Sequence, residues 1–274
     1  MTRPARLVLL GSPVAHSLSP AFQNAALASA GLPIRYESLD VSPDALPGML
    51  DRLAAEGAAG NATVPHKEAV FARCDTRTPI SERVGAVNTF WWADGAMHGD
   101  NTDVGGFDRA VSALTGDRMP ARIAMIGAGG AAAAACAAAE RCHVSEVRIA
   151  ARSVERARAL AERFPKLVTI YPAIEPALDG AELVVNATPL GLHPDDAYPV
   201  AVELLPPGAL VLDLVYGPQE TRWVHAARSF GHRAADGLRM LIEQGALAFE
   251  RWFGFPPDRA AMARAIHERT GRLL

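Results

Sequence analysis

Short apolar runs alternate along the chain with longer stretches in which apolar residues recur at helical spacing. In the first third, the runs at 6–10, 35–39 and 60–63 predict strands, and the stretches 20–30 and 43–55 predict helices. Gly31 and Pro33 mark the end of the first helix. Strands that alternate with helices predict a mainly parallel sheet.

The middle of the chain repeats this alternation after Pro120. The predicted strands are 122–126, 147–151, 183–186 and 210–215, and the predicted helices are 131–141 and 153–163. These intervals are typical of a doubly wound, Rossmann-type nucleotide domain. From Asp236 onward the pattern is helical, over 238–252 and 257–269. We therefore expect an α/β protein with two α/β domains.

The length of 274 residues agrees with two domains. The formal net charge is −3, whereas nucleic-acid and anionic-membrane partners favour a basic chain, so neither is expected as a partner. The two longest uncharged stretches are interrupted by Gly, Pro and polar residues and predict no membrane span. Three cysteines, an odd number, favour a reducing cytoplasm, and their spacing predicts no metal site.

A glycine-rich turn follows the strand predicted at 122–126. It consists of Gly127, Ala128, Gly129, Gly130, Ala131 and Ala132, which fit the pattern G-x-G-x-x-A. Gly127 would permit a tight turn, Gly129 would let backbone approach a pyrophosphate, and the helix N-terminus would offer free N–H groups. The alternative is a helix entry built from small packing residues, which the flanking strands make less favourable.

The choice between NAD and NADP is expected at the end of the next strand. An NAD site usually places Asp or Glu there, but this chain has Ala151, Arg152 and Ser153, with Arg156 and Arg158 following. Arginine can hold a 2′-phosphate with its planar fork of donors. The pattern favours NADP, although Arg158 fits a solvated helix face equally well.

Four polar clusters interrupt the first domain, at 11–20, 60–67, 85–89 and 99–107. In the first, Ser17 and Ser19 can each bind a carboxylate, and Ser19 can alternatively cap a helix that starts with Pro20. The others supply a lysine, Lys67, an amide, Asn88, and a carboxylate, Asp103.

Oxidation of an alcohol needs a group that takes the hydroxyl proton as hydride leaves. A lysine can do so, but a nearby carboxylate favours its charged form, so Lys67 and Asp103 would have to share this work. Taken separately, Lys67 can also be an exposed lysine and Asp103 a helix N-cap.

Six motifs in order along the chain resemble those of the shikimate dehydrogenase family. They are GSPVAHSLSP, NATVPHK, GAVNT, DNTDVGGF, GAGGAA and GLRMLIEQGALAF. The resemblance spans nearly the whole chain. It implies NADP-dependent interconversion of shikimate and 3-dehydroshikimate, on the route to chorismate and aromatic amino acids. It further implies a substrate-binding and catalytic domain (1–104 plus 237–274) and a Rossmann NADP-binding domain (105–236).

The resemblance also assigns roles to individual residues. It implies that Lys67 and Asp103 are the catalytic pair. The implied substrate-binding residues are Ser17, Ser19, Asn61, Thr63, Asn88, Tyr216 and Gln244. The implied cofactor-binding residues are Gly127, Ala128, Gly129, Gly130, Ala131, Arg152, Ser153, Arg156, Thr188, Val215 and Gly237.

Some positions depart from the family pattern. Ala151 stands where the family commonly has an asparagine, which bears on the strength of the NADP preference, and Gln23 stands where a histidine is common. Ala62 and the pair Trp91–Trp92 also differ and bear on the shape of the pocket. A quinate/shikimate dehydrogenase, an aminoshikimate-type paralogue and a non-catalytic NADP-binding regulatory protein remain alternatives. The family contains monomers and homodimers.

Overall fold

The computed structural model describes residues 3–116 and 118–273, which form two compact units. The first unit comprises the described residues up to Gly106 together with those from Leu241 onward. The second unit is Phe107–Met240. Each unit contains one six-stranded sheet, so both are α/β, as the alternating pattern predicts.

The N-terminal part of the chain builds the first sheet. Its elements are β1 (Arg6–Gly11), α1 (Ser19–Ser29), β2 (Tyr36–Asp40), a 3₁₀ turn (Pro43–Ala45), α2 (Leu46–Ala55), β3 (Ala58–Ala62), α3 (Lys67–Arg73), β4 (Thr76–Arg77), α4 (Pro79–Val84), β5 (Thr89–Ala93), β6 (Ala96–Asp100) and α5 (Asp103–Thr115). The strand order is β2-β1-β3-β5-β6-β4. The pairs of β1 with β2 and β3, and of β4 with β6, are parallel, while β5 runs antiparallel to both neighbours.

The second unit has a fully parallel sheet. Its elements are β7 (Arg122–Ile126), α6 (Gly130–Arg141), β8 (Glu146–Ala150), α7 (Val154–Arg163), β9 (Val168–Tyr171), α8 (Ile174–Ala177), β10 (Leu183–Asn186), a 3₁₀ turn (Val202–Leu204), β11 (Leu210–Asp213), α9 (Arg222–Ser229) and β12 (Ala234–Ala235). The strand order is β12-β11-β10-β7-β8-β9. Two C-terminal helices follow, α10 (Leu238–Phe253) and α11 (Arg259–Thr270).

Burial explains why these residues form these elements. β1 is apolar throughout Leu7–Leu10, as expected of a strand covered on both faces, and these four side chains are almost fully buried. In α6 every residue from Ala132 to Ala139 is buried, which agrees with a helix that is small and apolar all round.

The hairpin β5–β6 was missing from the expected strands. Its two-residue turn is Asp94-Gly95, with φ angles of 52° and 78°, a sequence and conformation typical of tight hairpins. The helix expected over 43–55 also differs, because a 3₁₀ turn occupies its first three residues and the α-helix begins at Leu46.

Candidate active site

The first unit places Lys67 and Asp103 in direct contact. Lys67 begins α3 and Asp103 begins α5, and Lys67 Nζ lies 2.6 Å from Asp103 Oδ2. The carboxylate is nearly buried, with 9% of its side chain exposed, while the lysine side chain keeps 21%. The cluster therefore joins a partly accessible ammonium group to a carboxylate that is shielded from water.

Asn88 holds the other oxygen of this carboxylate. Asn88 Nδ2 donates to Asp103 Oδ1 at 2.8 Å, while Asn88 Oδ1 accepts from the backbone N–H of Thr102 at 2.7 Å. A backbone N–H can only donate, so this contact fixes which end of the amide is the oxygen. The hydroxyl of Thr89 also donates to Asn88 Oδ1, at 3.1 Å. The amide is thus oriented with its NH₂ group toward Asp103.

Gln244 on α10 closes the same cluster. Its Oε1 accepts from Asn88 Nδ2 at 3.3 Å and from Thr102 Oγ1 at 3.5 Å, and its Nε2 donates to the carbonyl of Leu241 at 2.8 Å. Gln244, Asn88 and Thr102 are all buried. The structure therefore brings four of the expected site residues together: Lys67, Asp103, Asn88 and Gln244.

Asn61 lies behind this cluster and is bonded internally. Its Oδ1 accepts from the hydroxyl of Tyr36 at 2.7 Å, and its Nδ2 donates to Asn88 O at 3.0 Å and to Thr89 Oγ1 at 2.9 Å. Tyr36, Thr89 and Thr102 were not among the expected site residues. Thr89 and Thr102 lie inside the polar motifs that were recognised, whereas nothing in the sequence around Tyr36 pointed to this contact.

Ser17, Ser19 and Thr63 follow the ends of strands in the same sheet. Ser17 Oγ accepts from the backbone N–H of Ser19 at 3.2 Å, which shapes the turn into α1. The residue at the N-cap of α1 is Leu18, and no side chain caps this helix, so Ser19 does not have the alternative role of cap. Thr63 packs over Gly11, where an added Cβ would lie 2.5 Å from Thr63 Cγ2.

The expected cofactor-binding residues gather at one edge of the second sheet. Because all its strands are parallel, their carboxyl ends share an edge, which is where nucleotides bind in such sheets. The expected residues lie just beyond the ends of five strands. Gly127–Ala131 begin directly after β7, and the second residue after β8, β10, β11 and β12 is, in turn, Arg152 (followed by Ser153), Thr188, Val215 and Gly237. Tyr216 also lies in this unit, three residues after β11.

The glycine turn fits a dinucleotide. Gly127 has a φ of 104°, and a Cβ there would lie 2.9 Å from the carbonyl oxygen of Ala187, so only glycine suits the position. Around Gly129 and Gly130, by contrast, a Cβ would meet nothing within 4 Å. Gly129 is the N-cap of α6, and no side chain caps this helix. The turn therefore leaves room for a phosphate beside the N–H groups of a twelve-residue helix.

Gly237 is held at the same edge by a close backbone contact. Its N–H donates to Val215 O at 3.0 Å, and a Cβ at Gly237 would lie 2.3 Å from Leu214 O. No larger residue fits there without a backbone shift. The segments after β11 and β12 are therefore fixed against each other.

Two buried side chains that the sequence analysis missed support this edge. Asn186 Oδ1 accepts from the N–H and hydroxyl of Thr188, at 3.0 and 2.7 Å, and its Nδ2 donates to Asp213 Oδ1 at 2.8 Å. The other Asp213 oxygen accepts from the hydroxyl of Thr221 at 2.8 Å. Burial raises the pKa of Asp213 to about 6, although the hydrogen bonds from Thr221, the Val215 N–H and Asn186 oppose that rise.

Among residues 3–116 and 118–273, no group of three or more His, Cys, Asp or Glu side chains could hold a metal ion. Within the same ranges, no helix combines the length and apolar character needed to cross a membrane. The three cysteines are free, and burial raises the pKa of the Cys136 thiol to about 12.

Comparison with known families accounts for most of the chain. Residues 9–90 match the shikimate dehydrogenase substrate binding domain. Residues 110–191 match the family described as shikimate / quinate 5-dehydrogenase, and residues 237–267 match the shikimate 5′-dehydrogenase C-terminal domain.

Individual relatives agree with these matches. The shikimate dehydrogenase (NADP(+)) of Rubrobacter xylanophilus is 43% identical over 267 residues, which cover 94% of each chain. The crystal structure of shikimate 5-dehydrogenase from Thermus thermophilus in complex with NADP(H) and shikimate superimposes with a TM-score of 0.86 at 39% identity, covering 96% of this chain and 99% of that one. Quinate dehydrogenase from Corynebacterium glutamicum in complex with NAD gives a TM-score of 0.88 at 31% identity, covering 97% and 99%. The chain therefore belongs to the shikimate dehydrogenase family.

Proposed function

We propose that this chain catalyses the reversible, NADP-dependent reduction of 3-dehydroshikimate to shikimate, a step toward chorismate and aromatic amino acids. The observation that carries the proposal is the contact of 2.6 Å between Lys67 Nζ and Asp103 Oδ2. It places a group that can donate or accept a proton, Lys67, beside a carboxylate that is largely shielded from water. Alcohol and ketone interconversion needs such a group.

Lys67 Nζ is the atom that gives and takes the proton. During reduction, the ammonium group of Lys67 gives a proton to the carbonyl oxygen of the substrate as that oxygen gains negative charge. During oxidation, the neutral amine takes the proton from the substrate hydroxyl. Bound NADP supplies the other half of the reaction, because its nicotinamide ring accepts or delivers the hydride.

Asp103 and Asn88 hold Lys67 in place for this transfer. The Asp103 carboxylate stabilises the charged amine through one oxygen and is itself fixed through the other by Asn88. Only two of the chain's 27 Lys and Arg residues are lysines, Lys67 and Lys166. An arginine cannot give up its proton in a protein, so a lysine at position 67 suits proton transfer.

The substrate is bound by groups around this pair. Ser17 and Ser19, in the turn into α1, hold the ring carboxylate through their hydroxyls. Thr63, Asn88 and Gln244 contact the ring hydroxyls, and Asn61 supports them from behind. We also expect Tyr216 to be a substrate-binding residue. Polar groups that are already held by neighbours lose little freedom when they bind a ligand.

NADP is bound along the carboxyl edge of the second sheet. Gly127–Ala131 and the first N–H groups of α6 would hold the pyrophosphate, and Thr188, Val215 and Gly237 would contribute to the rest of the cofactor site. Arg152, Ser153 and Arg156 receive the 2′-phosphate. The absence of an acid at Ala150 and Ala151, where β8 ends, supports this choice over NAD.

We place the enzyme in the cytoplasm, where its free cysteines stay reduced, and expect it to act as a monomer or a homodimer. A quinate-oxidising activity is the second candidate, because the structure also superimposes on a quinate dehydrogenase with a TM-score of 0.88. The two rings share the carboxylate and hydroxyls that the site would bind.

Steady-state kinetics on shikimate and quinate, each with NADP and with NAD, tests the proposal. We expect the largest kcat/KM for shikimate with NADP. A larger kcat/KM for quinate would favour the second candidate, and no turnover of shikimate with NADP would contradict the proposed function.

A further inference from the structure

We propose that Glu155 is a specificity-determining residue that weakens this chain's preference for NADP over NAD. The inference rests on the proposed function, because it takes Arg152, Ser153 and Arg156 as the site of the 2′-phosphate. It concerns the first turn of α7, directly after β8.

The hydroxyl of Ser153 is already engaged on both sides. Ser153 is the N-cap of α7, and its Oγ accepts from the backbone N–H of Arg156 at 3.3 Å. The same hydroxyl donates to Glu155 Oε2 at 3.1 Å. A serine hydroxyl has one proton to give, so a phosphate can receive it only after Glu155 releases it.

Glu155 also places a negative charge where the phosphate would bind. The hydrogen bonds from its own backbone N–H and from Ser153 lower the pKa of Glu155, which is therefore ionised at neutral pH. A phosphate monoester carries a charge of about −1.5 to −2 there. Two anions that share one helix N-terminus repel each other and compete for the same N–H groups.

The 2′-hydroxyl of NAD is free of this penalty because it is neutral. The exposed side chains of Arg152 and Arg156 attract the 2′-phosphate, and Glu155 offsets part of that attraction. The residue at 151 is alanine and adds no side-chain donor that could compensate. The site therefore prefers NADP over NAD, but by a smaller ratio of affinities than its arginines alone would give.

Glu155 has an obvious structural role as well, since an acid in the first turn of a helix stabilises that helix. That role predicts a small change in Tm when the charge is removed and no change in the choice between nucleotides. Discrimination between ligands with and without the phosphate is therefore the readout that separates the two roles.

The test is calorimetric titration of the full chain with 2′,5′-ADP, which has the phosphate, and with 5′-AMP, which lacks it. For Glu155→Gln we expect a Kd for 2′,5′-ADP about three- to tenfold lower, and a Kd for 5′-AMP within about twofold of the parent value. The gain shrinks as ionic strength rises from about 0.02 to 0.3 M, because salt screens an exposed charge. The ratio of kcat/KM for NADP to that for NAD rises by the same factor.

Glu162→Gln is the matched control, since Glu162 is an exposed acid near the other end of α7 and its removal changes the net charge equally. It should change neither Kd by more than about twofold. An unchanged Kd for 2′,5′-ADP in Glu155→Gln overturns the inference. A higher Kd of Glu155→Gln for 5′-AMP also overturns the inference, because it would mean that Glu155 holds the ribose.

The variant Arg152→Ala tests the proposed 2′-phosphate site separately from the role of Glu155. Loss of 2′,5′-ADP affinity in that variant supports the phosphate site, and an unchanged Glu155→Gln then overturns only the role of Glu155. If Arg152→Ala binds 2′,5′-ADP as tightly as the parent, the proposed phosphate site itself is wrong.

Discussion

The backbone N–H of Thr102 donates to Asn88 Oδ1 at 2.7 Å, and this contact decides which way the Asn88 amide faces. The NH₂ group consequently points at Asp103 Oδ1, 2.8 Å away. Asp103 in turn contacts Lys67, so the orientation of the Asn88 amide affects the position of the group that would move the proton. Residues that never touch the substrate can therefore affect the rate.

We predict that Thr102→Val lowers kcat about tenfold and leaves the KM for NADP within about twofold, because Asn88 and Thr89 lose their contacts with the Thr102 hydroxyl while the backbone N–H that orients Asn88 and the second unit are untouched. Thr102 Oγ1 lies 3.0 Å from Asn88 Nδ2 and 3.2 Å from Thr89 Oγ1, and valine removes both contacts. Steady-state kinetics measures the split. Thr102→Ser keeps the hydroxyl and should restore kcat. A normal kcat in the valine variant would show that Thr102 does not position the pair.

Lys67→Ala should lower kcat by about 10²- to 10⁴-fold, the usual contribution of a positioned acid or base. Binding of 2′,5′-ADP should stay essentially unchanged, since the expected nucleotide site lies in the other unit. Lys166→Ala, which removes the only other lysine of the chain, is the control for loss of a positive charge and should keep full activity. A Lys67 variant with near-normal kcat would refute the assignment of Lys67 as the proton donor.

Asp213 should make the protein less stable as the pH rises from about 4 to 6. Burial raises its pKa to about 6, above the ordinary 3.8, so the folded state binds this proton more tightly than the unfolded state does. The resulting stabilisation is fully present below the pKa that Asp213 has in the unfolded chain. It is lost as the pH rises through the pKa that Asp213 has in the folded protein, about 6. The loss is of the order of 3 kcal/mol at most.

Urea unfolding of the parent and of Asp213→Asn across this pH range measures the effect. In the variant the dependence assigned to Asp213 should disappear. Asp196 should have the opposite pH dependence and serves as a control. Hydrogen bonds from the backbone N–H groups of His193 and Gly191 lower its pKa, so its contribution to the stability of the folded state grows as the pH rises. If the pH profile of Asp213→Asn matches that of the parent, the carboxyl of Asp213 titrates alike in both states.

Gly60→Ala should destabilise the protein by roughly 3 kcal/mol or more, since the added methyl would overpack a buried strand. A Cβ at Gly60 would lie 2.2 Å from the carbonyl oxygen of Val8 on the neighbouring strand. Gly48→Ala is the control, because Gly48 lies in α2 with nothing within 4 Å of the added Cβ. That change should stabilise the helix by about 0.5–1 kcal/mol. Equal effects of the two alanines on the free energy of unfolding would contradict the packing argument.

Four of the six strands of the second unit were predicted, and the short edge strands β9 and β12 were not. The apolar runs at Arg122–Ile126 and Leu183–Asn186 were predicted with the observed bounds, because a buried parallel strand is apolar on both faces and leaves a continuous signal. The hairpin β5–β6 was not predicted, although its turn, Asp94-Gly95, is a pair typical of tight hairpins.

The contacts behind the site could not be predicted from the sequence. Tyr36 and Asn61 are 25 residues apart and belong to strands on either side of β1, so only the folded sheet brings them together. The expectations for Lys67, Asp103, Asn88 and Gln244 came from motifs, and the structure adds which atom of each contacts which. Their roles in catalysis stay predictions until the kinetics above are measured.

The hairpin between β5 and β6 has a consequence for how this site tolerates change. Thr89, next to Asn88, pairs with Asp100, three residues before Asp103, and both strands lead back to a turn of only two residues, Asp94-Gly95. An exposed loop tip usually accepts insertions freely. Here one extra residue that slipped the pairing would turn each side chain of a strand to the opposite face of the sheet. A length change at the surface would then act on the contact between Lys67 and Asp103 as strongly as a substitution beside it.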